Sequence, residues 1–342
     1  MNTLAYRWYV DPDVLALERE RVFSGTWQYA GDVGRIDEPG SYFTCRAGDV
    51  PIVAVRDRAG ELRAFVNVCR HRGAEVVAGE GHCTTLQCHY HAWTYGLDGA
   101  LRAAPRSDAA PGFDRTALGL RSAALDTWGP FIFVNADADA APLGETLGEL
   151  PEIVRSGGVD VDALEFYGRF DYGLDANWKV AVENYLECYH CAVAHPGFSE
   201  VVDVSPDAYR LEARATFASH FAQARRGGED GDVDGQFHLI WPNIKVNVMP
   251  GRANLSIGPI FPAGPERAEG YLDYFFAPGA DAECIEQHMA LDGLVGAEDR
   301  VLVESVQRGM RSRAFDHGHL LLPGEELIAE FQRWVATRLG GG

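Results

Sequence analysis

From residue 41 to about 135 the chain is built of short apolar runs broken by polar, Gly-containing turns: SYFTCRAG, VPIVAVRDRAG, LRAFVNVC, TLQCHYHAWTYGLDG and FIFVNAD. Runs of this length bounded by turn formers predict strands, with RDRAGEL and YGLDGAL as hairpin turns. Ahead of them, VLALERERVFSGTW predicts a helical stretch whose apolar positions are Val14, Leu15, Leu17, Val22 and Phe23. Residues 136–165 are acidic and carry Pro, Gly and Ala, which marks a domain boundary. Beyond it, FYGRFDYGLDANW is strand-like and leads into a helix near 178–192. Strands follow around 209–222, 236–248, 253–262 and 268–277, then helices over 281–311 and 323–339. The pattern is that of an α+β chain in three parts: an N-terminal helical segment, 1–40, packing on the last domain; an all-β module, 41–150; and a domain of antiparallel strands and helices, 151–342. GGEDGDVDG at 227–235 reads as an acidic, mobile loop.

Composition narrows this picture only a little. A hydrophobic share of 46% over 342 residues is ample for two cores. No apolar run is long enough to span a membrane, and MNTLAYRWYVDPDV lacks the basic and apolar regions of a signal peptide, so the cytoplasm is the expected location. The formal charge of −20 argues against a nucleic-acid partner. The seven cysteines show no disulfide pattern and are expected to be thiols and metal ligands. Cys83 reads as a buried thiol, and Cys188 and Cys191 as members of one face of the 178–192 helix.

The chemistry begins with Cys69-x-His71 and Cys88-x2-His91. Two thiolates and two imidazoles in this paired order suit a [2Fe–2S] cluster of Rieske type, in which the thiolates hold one iron and the imidazoles the other. Zinc also takes two Cys and two His, but usually as a Cys pair followed by a His pair. The order here favours the cluster, which transfers single electrons.

A second constellation lies in NWKVAVENYLECYHCAVAHPG. His190 and His195 can bind one metal, with Glu187 three residues before His190 and Asn184 in the same segment. A third ligand must come from elsewhere. The stretch 298–308 offers Asp299, read into a first helical turn where the helix dipole favours a carboxylate, with Glu298 and Asp292 as rivals. Its Val301, Leu302, Val303 and Val306 are expected to face the core. Two His and one carboxylate with open positions suit a non-haem Fe(II) oxygenase. His82, His89, His220, His238, His288, His317 and His319 read as structural.

With Trp93-Thr94-Tyr95 after the first motif and Glu183-Asn184-x2-Glu187-x2-His190-x4-His195 in the second, the whole chain resembles the large (α) subunit of Rieske non-haem iron oxygenases. That resemblance implies an N-terminal Rieske β-domain and a C-terminal helix-grip catalytic domain. It implies a homotrimer in which the cluster of one subunit faces the mononuclear iron of the next, and it places the third iron ligand on Asp299. Glu187 stands where many relatives carry Asp between the two metal sites. Glu in this setting resembles the branch that oxidises choline, glycine betaine, proline betaine and carnitine. Ala92 departs from the Gly that many relatives have there.

The expected reaction is hydroxylation of a substrate C–H bond with O2, including oxidative N-demethylation. No GxGxxG follows a strand, so electrons from NAD(P)H are expected through a separate flavin and iron–sulfur reductase, with or without a ferredoxin. No β subunit is expected. A cationic substrate calls for aromatic faces, and Trp241, Tyr172, Tyr185, Phe198 and Tyr209 are the candidates. The alternatives are an oxygenase acting on an arene or arene carboxylate and a non-catalytic Rieske electron carrier.

Overall fold

The computed structural model describes residues 1–225 and 232–340. Most of the acidic loop read at 227–235 therefore lies outside the described residues. The chain forms two compact units, one of residues 23–143 and the other of residues 1–22 with 144–342. The sequence reading placed the joints at 40 and 150. The difference at the first has a simple cause: residues 28–32 form a strand that pairs antiparallel with residues 131–135 and so joins the β module.

In that unit β1 (Gln28–Asp32), β2 (Ser41–Ala47), β3 (Val50–Arg56), β4 (Leu62–Val66), β5 (Glu80–His82), β9 (Ser122–Trp128) and β10 (Phe131–Asn135) form one antiparallel sheet, ordered β1-β10-β9-β4-β3-β2-β5. β10 is buried throughout and β3 from Ile52 to Val55, which is why they read as continuous apolar runs and not as an alternation. A second, three-stranded sheet is made by β6 (Leu86–Gln87), β7 (Thr94–Tyr95) and β8 (Leu101–Ala103).

The larger unit is organised by seven antiparallel strands in the order β11-β17-β16-β15-β14-β13-β12. They are β11 (Glu165–Leu174), β12 (Tyr209–Ala213), β13 (Phe217–Ala222), β14 (Gly235–Ile240), β15 (Ile244–Val248), β16 (Asn254–Gly264) and β17 (Arg267–Phe276). The stretches 209–222 and 236–248 are thus each a hairpin. The helices are α1 (Pro12–Glu18), α2 (Leu143–Leu147), α3 (Leu150–Ser156), α4 (Trp178–Tyr185), α5 (Cys191–Ala194), α6 (Pro196–Val201), α7 (Ala282–Arg311) and α8 (Glu326–Leu339).

α4 is capped by Asn177, whose side chain accepts from the Lys179 N–H, and its first five residues are all buried. A helix buried on every side leaves polar groups that must be paired inside. Lys179 pairs with Glu18 of α1, and both side chains are fully buried. Glu183, at the far end of α4, accepts from the Tyr9 hydroxyl at 2.7 Å and from the Gln332 amide at 3.0 Å.

Burial pushes the Glu183 carboxyl up to about 7, although the bonds from Tyr9 and Gln332 oppose the rise. The folded state therefore keeps a proton that the unfolded chain has released near its usual 4.5. This contribution favours folding at low pH and is lost as pH rises from about 4.5 to about 7, by about 3 kcal/mol. Urea midpoints measured at about pH 5 and about pH 8 are expected to show a larger fall for the wild type than for Glu183→Gln. Equal falls in the two proteins would disprove the protonated Glu183.

Candidate active site

The first motif sits on two turns of similar build. The Cys69 N–H donates to the Ala74 carbonyl and the Gly73 N–H donates back to the Cys69 carbonyl. The Cys88 N–H donates to the Trp93 carbonyl and the Ala92 N–H to the Cys88 carbonyl. Cys69 and Cys88 are buried in one core cluster, whereas His71 and His91 are exposed with their rings 4.6 Å apart. Trp93 stacks on His71 at 5.0 Å. Thiols inside and imidazoles outside match the donor set of a Rieske cluster, which Cys69, Cys88, His71 and His91 would hold and which would supply single-electron transfer.

Tyr95 is a part of this centre that the motif alone did not assign. Its hydroxyl accepts from the Arg70 N–H at 3.0 Å and lies 3.3 Å from the Cys69 sulfur. A donor on a ligating sulfur raises a cluster's potential. Ala92 has φ 57°, which gives the Gly of many relatives a physical reason: a Cβ there is strained. Cys83, read as buried, is only partly so.

The second constellation is not one continuous helix. α4 stops at Tyr185, and the Glu187 carboxylate takes the N–H groups of Tyr189 and His190, which would otherwise serve helical bonds. His195, held out of the helical region before Pro196, then separates α5 from α6. Cys188 and Cys191 correct the thiol reading, since they form a disulfide across His190.

The break turns the two histidines toward each other. Their Nε2 atoms are 3.1 Å apart, and Asp299 Oδ1 lies 3.0 Å from that of His195 and 3.4 Å from that of His190. Among the described residues these three form a group whose ligand atoms all fall within 4.8 Å of one another. On the far side of each ring a second carboxylate sits on Nδ1: Glu187 on His190, and Glu298 on His195 at 2.7 Å. Carboxylates on Nδ1 fix the tautomer that leaves Nε2 free for a metal. Burial pulls the His190 ring down, but Asp299 and Glu187 more than offset this and hold it up at about 9. Two imidazole nitrogens and one carboxylate oxygen converging on one point fit a divalent metal. The Asn184 amide adds a polar group 3.4 Å from His190 Nε2.

Asp299 lies well inside α7, not in a first turn, so packing and not the helix dipole places it. Val303 is buried as expected, but Val301 and Val306 are exposed. Glu298, a rival for the third ligand, stands on Nδ1 of His195, on the opposite side of the ring from Asp299. Asp292 accepts from the Tyr274 hydroxyl.

Beside His190, His195 and Asp299 opens a cavity of about 410 Å³. Tyr172, Tyr185, Phe198 and Tyr209 line it, as do Phe237, Lys245 and His220. Trp241 does not: it packs on Phe331 and Trp334 of α8. An apolar ring at the end of a buried strand is core as readily as cavity wall, and only the strand's orientation separates the two. His220 was read as structural, yet it lines the cavity. Burial holds its ring at about 3, hence neutral, with Nδ1 3.1 Å from the Tyr209 hydroxyl.

Comparison with known proteins agrees with both halves. Residues 26–117 match the Rieske [2Fe–2S] domain, and residues 161–341 match the catalytic domain of the ring-hydroxylating alpha subunit. The chain is 33% identical to choline monooxygenase of Arabidopsis thaliana, over 92% of this chain and 78% of the relative. It is 32% identical to the carnitine monooxygenase oxygenase subunit of Acinetobacter pittii, over 96% and 92%. The crystal structure of the quaternary ammonium Rieske monooxygenase CntA superposes with a TM-score of 0.88 at 31% identity, covering 98% of this chain and 95% of that one. Among the described residues no helix is long and apolar enough to cross a membrane. A Rieske cluster and a mononuclear iron are the cofactors of such proteins. The chain belongs to the Rieske non-haem iron oxygenases, as an α subunit of the ring-hydroxylating type.

Proposed function

We propose that this oxygenase oxidises a quaternary ammonium compound, by hydroxylation of a C–H bond or by oxidative N-demethylation. The observation that carries the reading is the cavity beside His190, His195 and Asp299, walled by tyrosine and phenylalanine rings with Glu187 and Asp292 on its helical side. Ring faces attract a desolvated ammonium group by about 2 kcal/mol. The relatives named for choline and carnitine act on such cations.

In this reading Cys69, His71, Cys88 and His91 hold the Rieske cluster, and His190, His195 and Asp299 hold the mononuclear iron. When bound, that iron supplies O2 activation and the open positions at which O2 and substrate meet. Glu187 and Glu298 keep the two imidazoles in the metal-binding tautomer. Tyr172, Tyr185, Phe198 and Tyr209 seat the cation and exclude water, and Asn184 offers an amide beside the metal position. Electrons come from NAD(P)H through a separate flavin and iron–sulfur reductase, with or without a ferredoxin. The assembly is a homotrimer working in the cytoplasm. In it Glu187 lies between the iron of its own subunit and the cluster of the next.

The test supplies the purified holoprotein with a competent reductase and NADH, and offers choline, glycine betaine, carnitine and benzoate in turn. Loss of an ammonium substrate coupled to O2 uptake is expected, with formaldehyde released where an N-methyl group is attacked. Turnover of benzoate alone would replace this reading with the arene one. Reduction of the cluster by NADH and reductase without oxygenation of any substrate would restore the carrier.

A further inference from the structure

β15 is buried at every position except Lys245, whose side chain enters the cavity. Its ammonium group stands 5.0 Å from the Tyr172 ring and 5.7 Å from the Tyr185 ring. Among the described residues it has no carboxylate within ion-pairing distance and no hydrogen-bond acceptor. A partly buried cation is normally paired. The carboxylates of the cavity are engaged elsewhere: Asp299 on the two histidines, Glu187 on His190, and Asp292 on Tyr274.

These groups give the cavity an electrical direction. Its negative charge lies on the side of α7 and the 186–195 segment, and its unpaired positive charge lies on the sheet. An aromatic path joins the two ends. The Glu187 charge is felt at Tyr209, Tyr209 lies 5.7 Å from His220, His220 lies 5.5 Å from Tyr185, and Tyr185 carries Lys245 on its ring. A substrate with only positive charge meets repulsion at the Lys245 end. A zwitterion matches both ends, its ammonium on the rings toward the metal position and its anionic group on the sheet.

We propose that Lys245 binds an anionic group of the substrate and selects a carboxylate-bearing quaternary ammonium compound over choline. This rests on the quaternary ammonium reading above and sharpens it. The bond would be charge-assisted and partly desolvated, a type whose loss weakens binding roughly 10- to 100-fold.

Titration calorimetry of the holoprotein with L-carnitine, glycine betaine and choline tests it without any reductase. The wild type is expected to bind at least one of the two zwitterions roughly 10-fold or more tighter than choline. Lys245→Met is expected to weaken that zwitterion roughly 10- to 100-fold and to leave choline unchanged or tighter. Lys245→Arg should restore the preference, and Lys245→Glu should invert it, so a single variant that fails to fold does not decide the matter. Choline bound by the wild type as tightly as the zwitterions, or all three weakened equally in Lys245→Met, would overturn the Lys245 assignment and leave the ammonium reading standing. If the wild type binds none of the three, both fall together.

Discussion

Replacing Asp299 with alanine is expected to strip about one iron per chain while leaving the Rieske absorption and the fold intact. Turnover should fall by about 10³-fold or more, equivalent to ~4 kcal/mol of barrier. Among the described residues Asp299 supplies the one carboxylate oxygen that meets both Nε2 atoms, at 3.0 and 3.4 Å. With it gone, two neutral imidazoles remain, and an Fe(II) site of this kind needs the anionic oxygen for charge and for geometry. Glu298→Ala is the informative contrast. Glu298 touches only the outer nitrogen of His195, so its loss should weaken iron binding by roughly 10- to 100-fold without abolishing it. Iron analysis and visible spectra of the two variants side by side decide their roles. Full iron in Asp299→Ala together with depleted iron in Glu298→Ala would exchange ligand and orienting partner.

That contrast also marks where the sequence stopped being readable. Cys69, His71, Cys88, His91, His190 and His195 stand out because each pair is carried by one local turn, so its chemistry is visible as spacing. Asp299 is 104 residues from His195 and has acidic neighbours at Glu298 and Asp292. Nothing local ranks the three, and the resemblance had to choose. The break after Tyr185 was hidden for a different reason. The segment has good helix formers and no Gly or Pro until Pro196, and it is the Glu187 side chain that competes for the backbone N–H groups. The strands of both units were readable from burial pattern and turns. Which rings line the cavity was not, as Trp241 shows, because strand periodicity says which residues share a face and not what that face meets. Lys245 was passed over for the same reason: in sequence it is an ordinary polar residue in an apolar strand.

The N-terminal segment gives the second large effect. Glu18→Ala is expected to destabilise the catalytic unit by about 3–5 kcal/mol, a fifth or more of the ~5–15 kcal/mol that holds a domain folded. In sequence Glu18 looks like one charge of an exposed helix face, ERER, yet it is fully buried. One of its oxygens meets the Lys179 ammonium group and the other accepts from the Trp178 indole N–H at 2.8 Å. Burial already pulls the Lys179 pKa down, and Glu18 is the chief group opposing that pull. Without Glu18 the lysine must lose its proton or drag water into the core, and the Trp178 N–H loses its bond to that carboxylate. The consequence should reach the site, because Lys179 and Trp178 open α4 and the same segment delivers Asn184, Glu187 and His190. A melting temperature lowered by about 10 °C is expected, together with reduced mononuclear iron content. The double variant Glu18→Met, Lys179→Met removes both charges and should recover most of the loss, since an apolar pair of similar volume replaces a buried ion pair at little cost. A single variant as stable as the wild type, or a double variant as unstable as the single one, would show that the α1–α4 contact is held by packing alone.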